Sequence, residues 1–119
     1  MTGKLTTHVL DISIGKPASG VLVELVRVGP NKGIETIRSS YTNEDGRLHH
    51  PLLEGEYMKK GIYELHFHVG DYYRNRVPST ESPSFLDCVP VRFGISEPAS
   101  HYHVPLLISP GGYSTYRGS

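Results

Sequence analysis

A chain of 119 residues is long enough for one domain with a sizeable core and too short for two of ordinary size. Its 12 Lys and Arg balance 12 Asp and Glu, and no basic run exceeds Lys59-Lys60, which argues against a nucleic-acid or anionic-membrane partner. Cys88 is the single cysteine and cannot close an internal disulfide, no stretch approaches the roughly 18 apolar residues of a membrane span, and no long apolar leader opens the chain, so a soluble cytoplasmic protein is the expectation.

In chain order the sequence reads as short strands. Leu5 to Ile12 places Thr6, His8, Leu10 and Ile12 on one face and Thr7, Val9 and Asp11 on the other. Gly15 to Gly20 is a loop with breakers at both ends. Val21 to Val28 is a second strand whose face assignment changes near Glu24 to Val26, the sign of a bulge or of burial on both faces. Gly29 to Gly33 is a turn, and Ile34 to Thr42 a more polar, half-exposed strand. Thr42 to Arg47 contains Asp45-Gly46, a strong reversal signal, and Arg47 to Leu53 is expected as a short fourth strand. Gly61 to Val69 has the cleanest period of two: Tyr63, Leu65, Phe67 and Val69 inward, Glu64, His66 and His68 outward.

Gly70 to Leu86 lacks alternation. Gly70 or Asp71 could cap a short helix over about 71–77, ended by Pro78. Cys88 to Ile95 alternates again, with Pro90 on the solvent side marking an edge position. The last nineteen residues form a hairpin: Tyr102, Val104, Leu106 and Ile108 face one way, His101, His103, Pro105 and Leu107 the other, and Ser109 to Gly112 is the turn into a strand running to Ser119. Eight short strands with turn signals about every ten residues specify an all-β, antiparallel sandwich in a single domain, residues 1–119.

Seven histidines are many for this length, and two pairs, His66/His68 and His101/His103, share a strand face at His-x-His spacing. A metal site needs a third ligand and a second shell that the spacing does not supply, and solvated surface residues are the plainer reading of His66 and His68. His103 differs because the hairpin pins the tail beside it, bringing Tyr116, Arg117 and the terminal carboxylate to a histidine able to take a proton from water and return it. With His8 on the first strand and Arg47 past a tight turn, the chain holds the parts of a metal-free hydrolytic set, the guanidinium steadying an oxyanion. The competing reading makes His8 a satisfied half-buried histidine and Arg47 an exposed turn residue. No Gly-x-Ser-x-Gly nucleophile motif or phosphate loop is present, and Cys88, opening an apolar strand, reads as a structural thiol.

The segments Leu5 to Asp11, Gly15 to Ala18, Thr42 to Arg47, His101 to Leu107 and Tyr113 to Ser119 together resemble the 5-hydroxyisourate hydrolases, the enzyme branch of the transthyretin-like family. The resemblance spans essentially the whole chain. Its most specific part is Tyr116-Arg117-Gly118-Ser119, which separates the enzymes from the hormone-carrying transthyretins. It implies a sandwich of two four-stranded sheets with a short helix, and a homotetramer with sites at the dimer–dimer interface. The implied reaction is hydrolysis of 5-hydroxyisourate, a product of urate oxidation, to 2-oxo-4-hydroxy-4-carboxy-5-ureidoimidazoline. The resemblance makes His8, Arg47, His103 and Ser119 catalytic and His8, Arg47 and Tyr116 substrate-binding. One histidine would activate water and the other orient it or protonate the leaving nitrogen, with no metal and no cofactor.

Two departures stand out. Gly111 occupies a position where the family usually has an aromatic residue, and His49-His50 lies outside the family pattern. A transthyretin-like carrier for an aromatic hormone and a metal-binding sandwich are the competing functions. The carrier has no need of general bases.

Overall fold

The computed structural model describes residues 3–31, 33–76 and 82–118. Among them the strands are β1 (Lys4–Asp11), β2 (Lys16–Pro17), β3 (Leu22–Val28), β4 (Ile34–Tyr41), β5 (Leu53–Glu54), β6 (Gly61–Phe67), β7 (Val89–Ile95), β8 (Tyr102–Ser109) and β9 (Gly112–Thr115), with helix α1 (Val69–Arg76) between β6 and β7. They form the expected all-β sandwich. One sheet runs β4-β3-β6-β7 and the other β2-β1-β8-β9, with β5 also on β1.

The first sheet is antiparallel throughout. Its register slips between Leu25 and Val26, where the sequence changes face, and β7 with Pro90 is an edge strand. In the second sheet β1 and β8 run parallel, opposing Thr6 to His103 and His8 to Pro105. This is the one departure from antiparallel pairing among the described strands. It places a segment from the start of the chain beside one from its end.

The outer edge of β1 is where the structure corrects the sequence reading. No continuous strand runs from Arg47 to Leu53. Leu53 and Glu54 alone pair with Leu5 and Lys4, and Arg47 meets β1 through a single bridge to His8. Pro51, which lacks an N–H, interrupts the ladder between them. At the other end Lys16 and Pro17, read as loop, pair with Asp11 and Leu10, so this sheet has five members rather than four. The strand expected to run through Ser119 ends at Thr115 and resumes as one bridge between Gly118 and His103. Helix α1 begins at Val69, earlier than expected, because β6 stops at Phe67 and the buried Val69 opens the helix. Its expected stop at Pro78 lies outside the described residues.

The core follows the period of two. Leu5 and Val9 of β1, Tyr63, Leu65 and Phe67 of β6, and Tyr102, Val104, Leu106 and Ile108 of β8 are all buried. Each large apolar side chain so removed from water contributes about 1.5–3 kcal/mol. The helix docks through a polar anchor. The hydroxyls of Tyr72 and Tyr73 donate to the buried Asp11 carboxylate at 2.8 and 2.9 Å, and Ser13 adds its N–H at 3.0 Å and its hydroxyl at 2.5 Å. Burial alone would push the Asp11 carboxyl up, but the hydrogen bonds from Ser13, Tyr72 and Tyr73 outweigh it and hold it below the usual carboxylate range. No helix among the described residues is long and apolar enough to cross a membrane.

Candidate active site

Four backbone segments line up side by side across one face of the second sheet. Gly118 bridges His103 on β8, β8 lies parallel to β1, and His8 on β1 bridges Arg47. Opposed residues in a sheet point to the same face, so the register Thr6↔His103 and His8↔Pro105 puts both histidines on one face, diagonally related. His8, His103 and Arg47 therefore form a row that crosses the strands obliquely.

Arg47 is held by its own turn. The Asn43 side-chain carbonyl accepts the N–H groups of Asp45 at 2.9 Å and Arg47 at 3.1 Å, and the Asn43 N–H donates to the Arg47 carbonyl at 2.7 Å. The turn is stitched to the sandwich by Thr42, whose buried hydroxyl donates to the Ala18 carbonyl at 2.7 Å and accepts the Val21 N–H at 2.9 Å. Gly46 closes the turn against β1, its carbonyl taking the Val9 N–H at 2.8 Å. Its φ is +75°, and a Cβ there would overlap the Val9 carbonyl oxygen and press on the His8 ring. Only glycine combines that φ with so close an approach. The Arg47 backbone is fixed while its side chain is exposed.

His103 is clamped from two sides. Its Nδ1 is hydrogen-bonded to the Thr6 hydroxyl at 2.8 Å. On the other side Gly118 lies against the ring: a Cβ at Gly118 would come within 2.6 Å of His103 Cδ2. The Gly118 N–H also donates to the His103 carbonyl at 2.7 Å. With Nδ1 engaged by Thr6, Nε2 is the nitrogen left for exchange with a bound molecule.

Both histidines are pulled below the ordinary value of 6.5. For His103 the causes are burial, then the positive Arg47, then His8. For His8 they are burial and Arg47, opposed by hydrogen bonding to the Asp45 backbone and by the Asp45 carboxylate. Each is therefore neutral at pH 7 and able to accept a proton, with a permanent cation beside them for negative charge.

Of the residues singled out in the sequence, His8, Arg47 and His103 come together. Tyr116 is exposed, two residues from Gly118 on the segment that meets His103. Ser119 lies outside the described residues. His101 is exposed just before β8. His66 pairs with Glu64 at 2.8 Å and His68 with Glu24 at 2.5 Å on the outer face of the other sheet. Among the described residues no group of three or more possible ligands is placed to hold a metal ion. His49 and His50 help line a hollow of about 170 Å³ with Thr6 and Arg47, next to the row. Burial and the carboxylates of Asp87, Glu24 and Asp71 raise the Cys88 thiol, which keeps it protonated. Sequence reasoning missed Thr6, Asn43 and the packing role of Gly118. The Asn43-to-Gly46 turn chemistry was a signal for the second of these; Thr6 offered none.

The site's geometry can be set beside known proteins. The family model described as HIUase/Transthyretin family matches residues 5–118. A 5-hydroxyisourate hydrolase from Halalkalibacterium halodurans is 54% identical over 119 residues, covering all of both chains. The crystal structure of an (S)-allantoin synthase superposes with a TM-score of 0.91 and 44% identity over 99% of this chain, which spans 44% of that protein. A transthyretin from Sparus aurata superposes with a TM-score of 0.85 at 27% identity over 97% of this chain and 96% of that one. The shared fold and the match over nearly its full length leave one assignment: the chain belongs to the HIUase/transthyretin family.

Proposed function

We propose that this chain hydrolyses 5-hydroxyisourate to 2-oxo-4-hydroxy-4-carboxy-5-ureidoimidazoline, a step of urate degradation in purine metabolism. The observation that carries this reading is the row of two histidines and one arginine built by the parallel β1–β8 pair and the bridged turn. The 54% identity to a hydrolase, against 27% to a transthyretin, supports it over the carrier reading.

The product carries a carboxyl and a ureido group where the substrate has a ring amide, so the reaction adds water across one C–N bond. His103 is assigned as general base. In this assignment Nδ1, hydrogen-bonded to the Thr6 hydroxyl, is the protonated nitrogen, and Nε2 takes a proton from water as the water oxygen attacks the ring carbonyl. Arg47 binds the substrate oxygens and the tetrahedral oxyanion. The C–N bond then breaks, and the leaving nitrogen takes a proton relayed from His103 through His8. Tyr116 is assigned to hold the ring, and the Ser119 hydroxyl to fix a histidine or the water. The chemistry asks for no metal or cofactor, because the base and the positive charge are both side chains.

The hollow beside Arg47, about 170 Å³, is smaller than the roughly 300 Å³ at which ligand pockets begin. Exposed Ile12, Ile14, Tyr113 and Tyr116 offer apolar surface on the same protomer. A second copy closing over this sheet would complete and dry the site, which supports a homotetramer with sites at the dimer–dimer interface. The reading places the enzyme in the cytoplasm.

The test is the ultraviolet decay of 5-hydroxyisourate, freshly generated from urate and urate oxidase, with chelator-treated protein. The expected result is accelerated decay that survives chelation and falls by about 10²–10⁴-fold in His103→Asn. No acceleration by folded wild-type protein refutes the hydrolase and leaves the carrier to be tested by ligand-binding calorimetry.

A further inference from the structure

We propose that Arg117 is a positioning residue for His103, pinning the C-terminal segment to β8 so that Gly118 stays packed against the imidazole ring. This rests on the hydrolase reading for its kinetic consequences, though not for its geometry. The Arg117 guanidinium lies 4.1 Å from the centroid of the Tyr102 ring, and its Nη2 donates to the His101 carbonyl at 3.2 Å. The anchor is itself rigid. Tyr102 is buried, and its hydroxyl accepts the N–H groups of Ser96 at 3.1 Å and Glu97 at 3.0 Å. A planar cation held over an electron-rich face while one N–H reaches a carbonyl is a task for which arginine is better shaped than lysine.

The need for a pin follows from the ladder. The pairing of β9 with β8 ends at Leu106↔Thr115, where the Thr115 hydroxyl also donates to the Pro105 carbonyl at 2.8 Å. Tyr116 and Arg117 have no ladder pairing, and contact resumes at the bridge between Gly118 and His103. That bridge stands three residues beyond the last ladder pair, so strand pairing alone does not hold it. Arg117 fastens the segment one residue before Gly118. It does so on the core-facing side of β8, over Tyr102, whereas His103 faces the opposite side. Arg117 thus acts on the ring through the backbone and does not touch the face where substrate is proposed to bind. Among the described residues, the charged and titratable groups facing the His103 ring are His8 from β1 and Arg47 from the bridged turn. If the segment lifts, water reaches the ring and its burial is relieved.

The experiment compares Arg117→Met, which keeps an apolar stem, and Arg117→Lys, which keeps a cation, in the full chain. Four quantities are read: kcat and KM for 5-hydroxyisourate, the titration of His103 by imidazole NMR, and the thermal midpoint. The expected result for Arg117→Met is a kcat lower by about tenfold with KM within about twofold, and a His103 titration moved up toward the ordinary histidine value. Arg117→Lys should recover part of both, and neither variant should shift the thermal midpoint by more than about 2 °C, since Arg117 is exposed. An active wild type with unchanged kcat and unchanged His103 titration in Arg117→Met overturns the proposal. So does a lower kcat with the titration unmoved, which makes the effect merely structural. If wild-type protein fails to hydrolyse the substrate, the hydrolase reading falls, and the His103 titration alone decides for or against the pin.

Discussion

Gly118→Ala separates placement of the His103 ring, the proposed general base, from stability of the fold. Gly118 is not among the glycines held at positive φ, so alanine meets no backbone strain there. The added Cβ would sit 2.6 Å from His103 Cδ2, about 0.8 Å short of the 3.4 Å at which ordinary contact begins. Either the ring swings, loosening the 2.8 Å bond to Thr6, or the segment lifts, breaking the 2.7 Å bond from Gly118 N–H to the His103 carbonyl. One such bond contributes about 0.5–1.5 kcal/mol net, which bounds the loss of stability. A reacting group displaced by close to 1 Å loses on the order of 10²-fold in rate. Gly118→Ala should therefore lower kcat by about 10–100-fold while its urea-unfolding free energy changes by no more than about 1.5 kcal/mol. Turnover at the wild-type rate would refute the claim that Gly118 sets the ring position. Loss of activity together with several kcal/mol of stability would show that the residue serves the fold instead.

Burial and the Arg47 charge lower both histidines, so the working form is the neutral one and kcat/KM should fall only as pH drops through values below 6.5; an acid limb centred above 6.5 would contradict the assigned environment. Asp11→Asn leaves an amide nitrogen facing hydroxyl donors and should cost about 2–4 kcal/mol by urea unfolding. Because the Asp11 carboxyl is lowered in the folded state, its contribution is complete above the unfolded value and disappears as pH falls through the folded one, so the wild type, and not Asp11→Asn, should lose this increment below about pH 4. Gly46→Ala should cost about 3 kcal/mol and abolish activity, and Gly46→Asn should fare no better, since the overlap with the Val9 carbonyl persists even for a residue that tolerates positive φ; an active Gly46→Asn would sink that argument. Gly111 has open space around it and lacks positive φ, so Gly111→Ala should stabilise by about 0.4–1 kcal/mol through the unfolded state, a gain that a thermal scan can resolve.

Alternation made most of the sandwich legible. It gave the buried faces of β6 and β8, the change of face at Leu25/Val26 and the edge placement of Pro90. It could not give the neighbours of a strand, because a period of two records which face is buried and nothing about which segment lies alongside. The parallel register of β1 with β8 was therefore invisible, and with it the distance between His8 and His103. The stretch from Arg47 to Leu53 looks like a strand by composition but is two point contacts on β1, an outcome decided by tertiary pairing. His8, Arg47 and His103 were readable as a set through family resemblance. Thr6 and Gly118 were not assigned roles, because a hydroxyl that fixes a ring nitrogen and a missing Cβ that admits a ring carry no spacing signature.

The outer edge of β1 shows how the fold hosts this site without a weak sheet edge. An unpaired edge invites association with other strands, and here it is covered in three places: by Leu53 and Glu54 near Lys4, by Arg47 at His8, and by Lys16 and Pro17 near Asp11. A continuous strand along that edge would have satisfied the same backbone groups, but its ladder would fix each residue's direction and leave little room beside His8. Point contacts leave a hollow between them, where Thr6, Arg47, His49 and His50 meet. Gly46 makes the central contact possible by letting the turn carbonyl reach the Val9 N–H. The interrupted edge and the row of His8, His103 and Arg47 thus share one origin: with point contacts in place of a ladder, the turn carrying Arg47 meets β1 at His8 and leaves a hollow beside it.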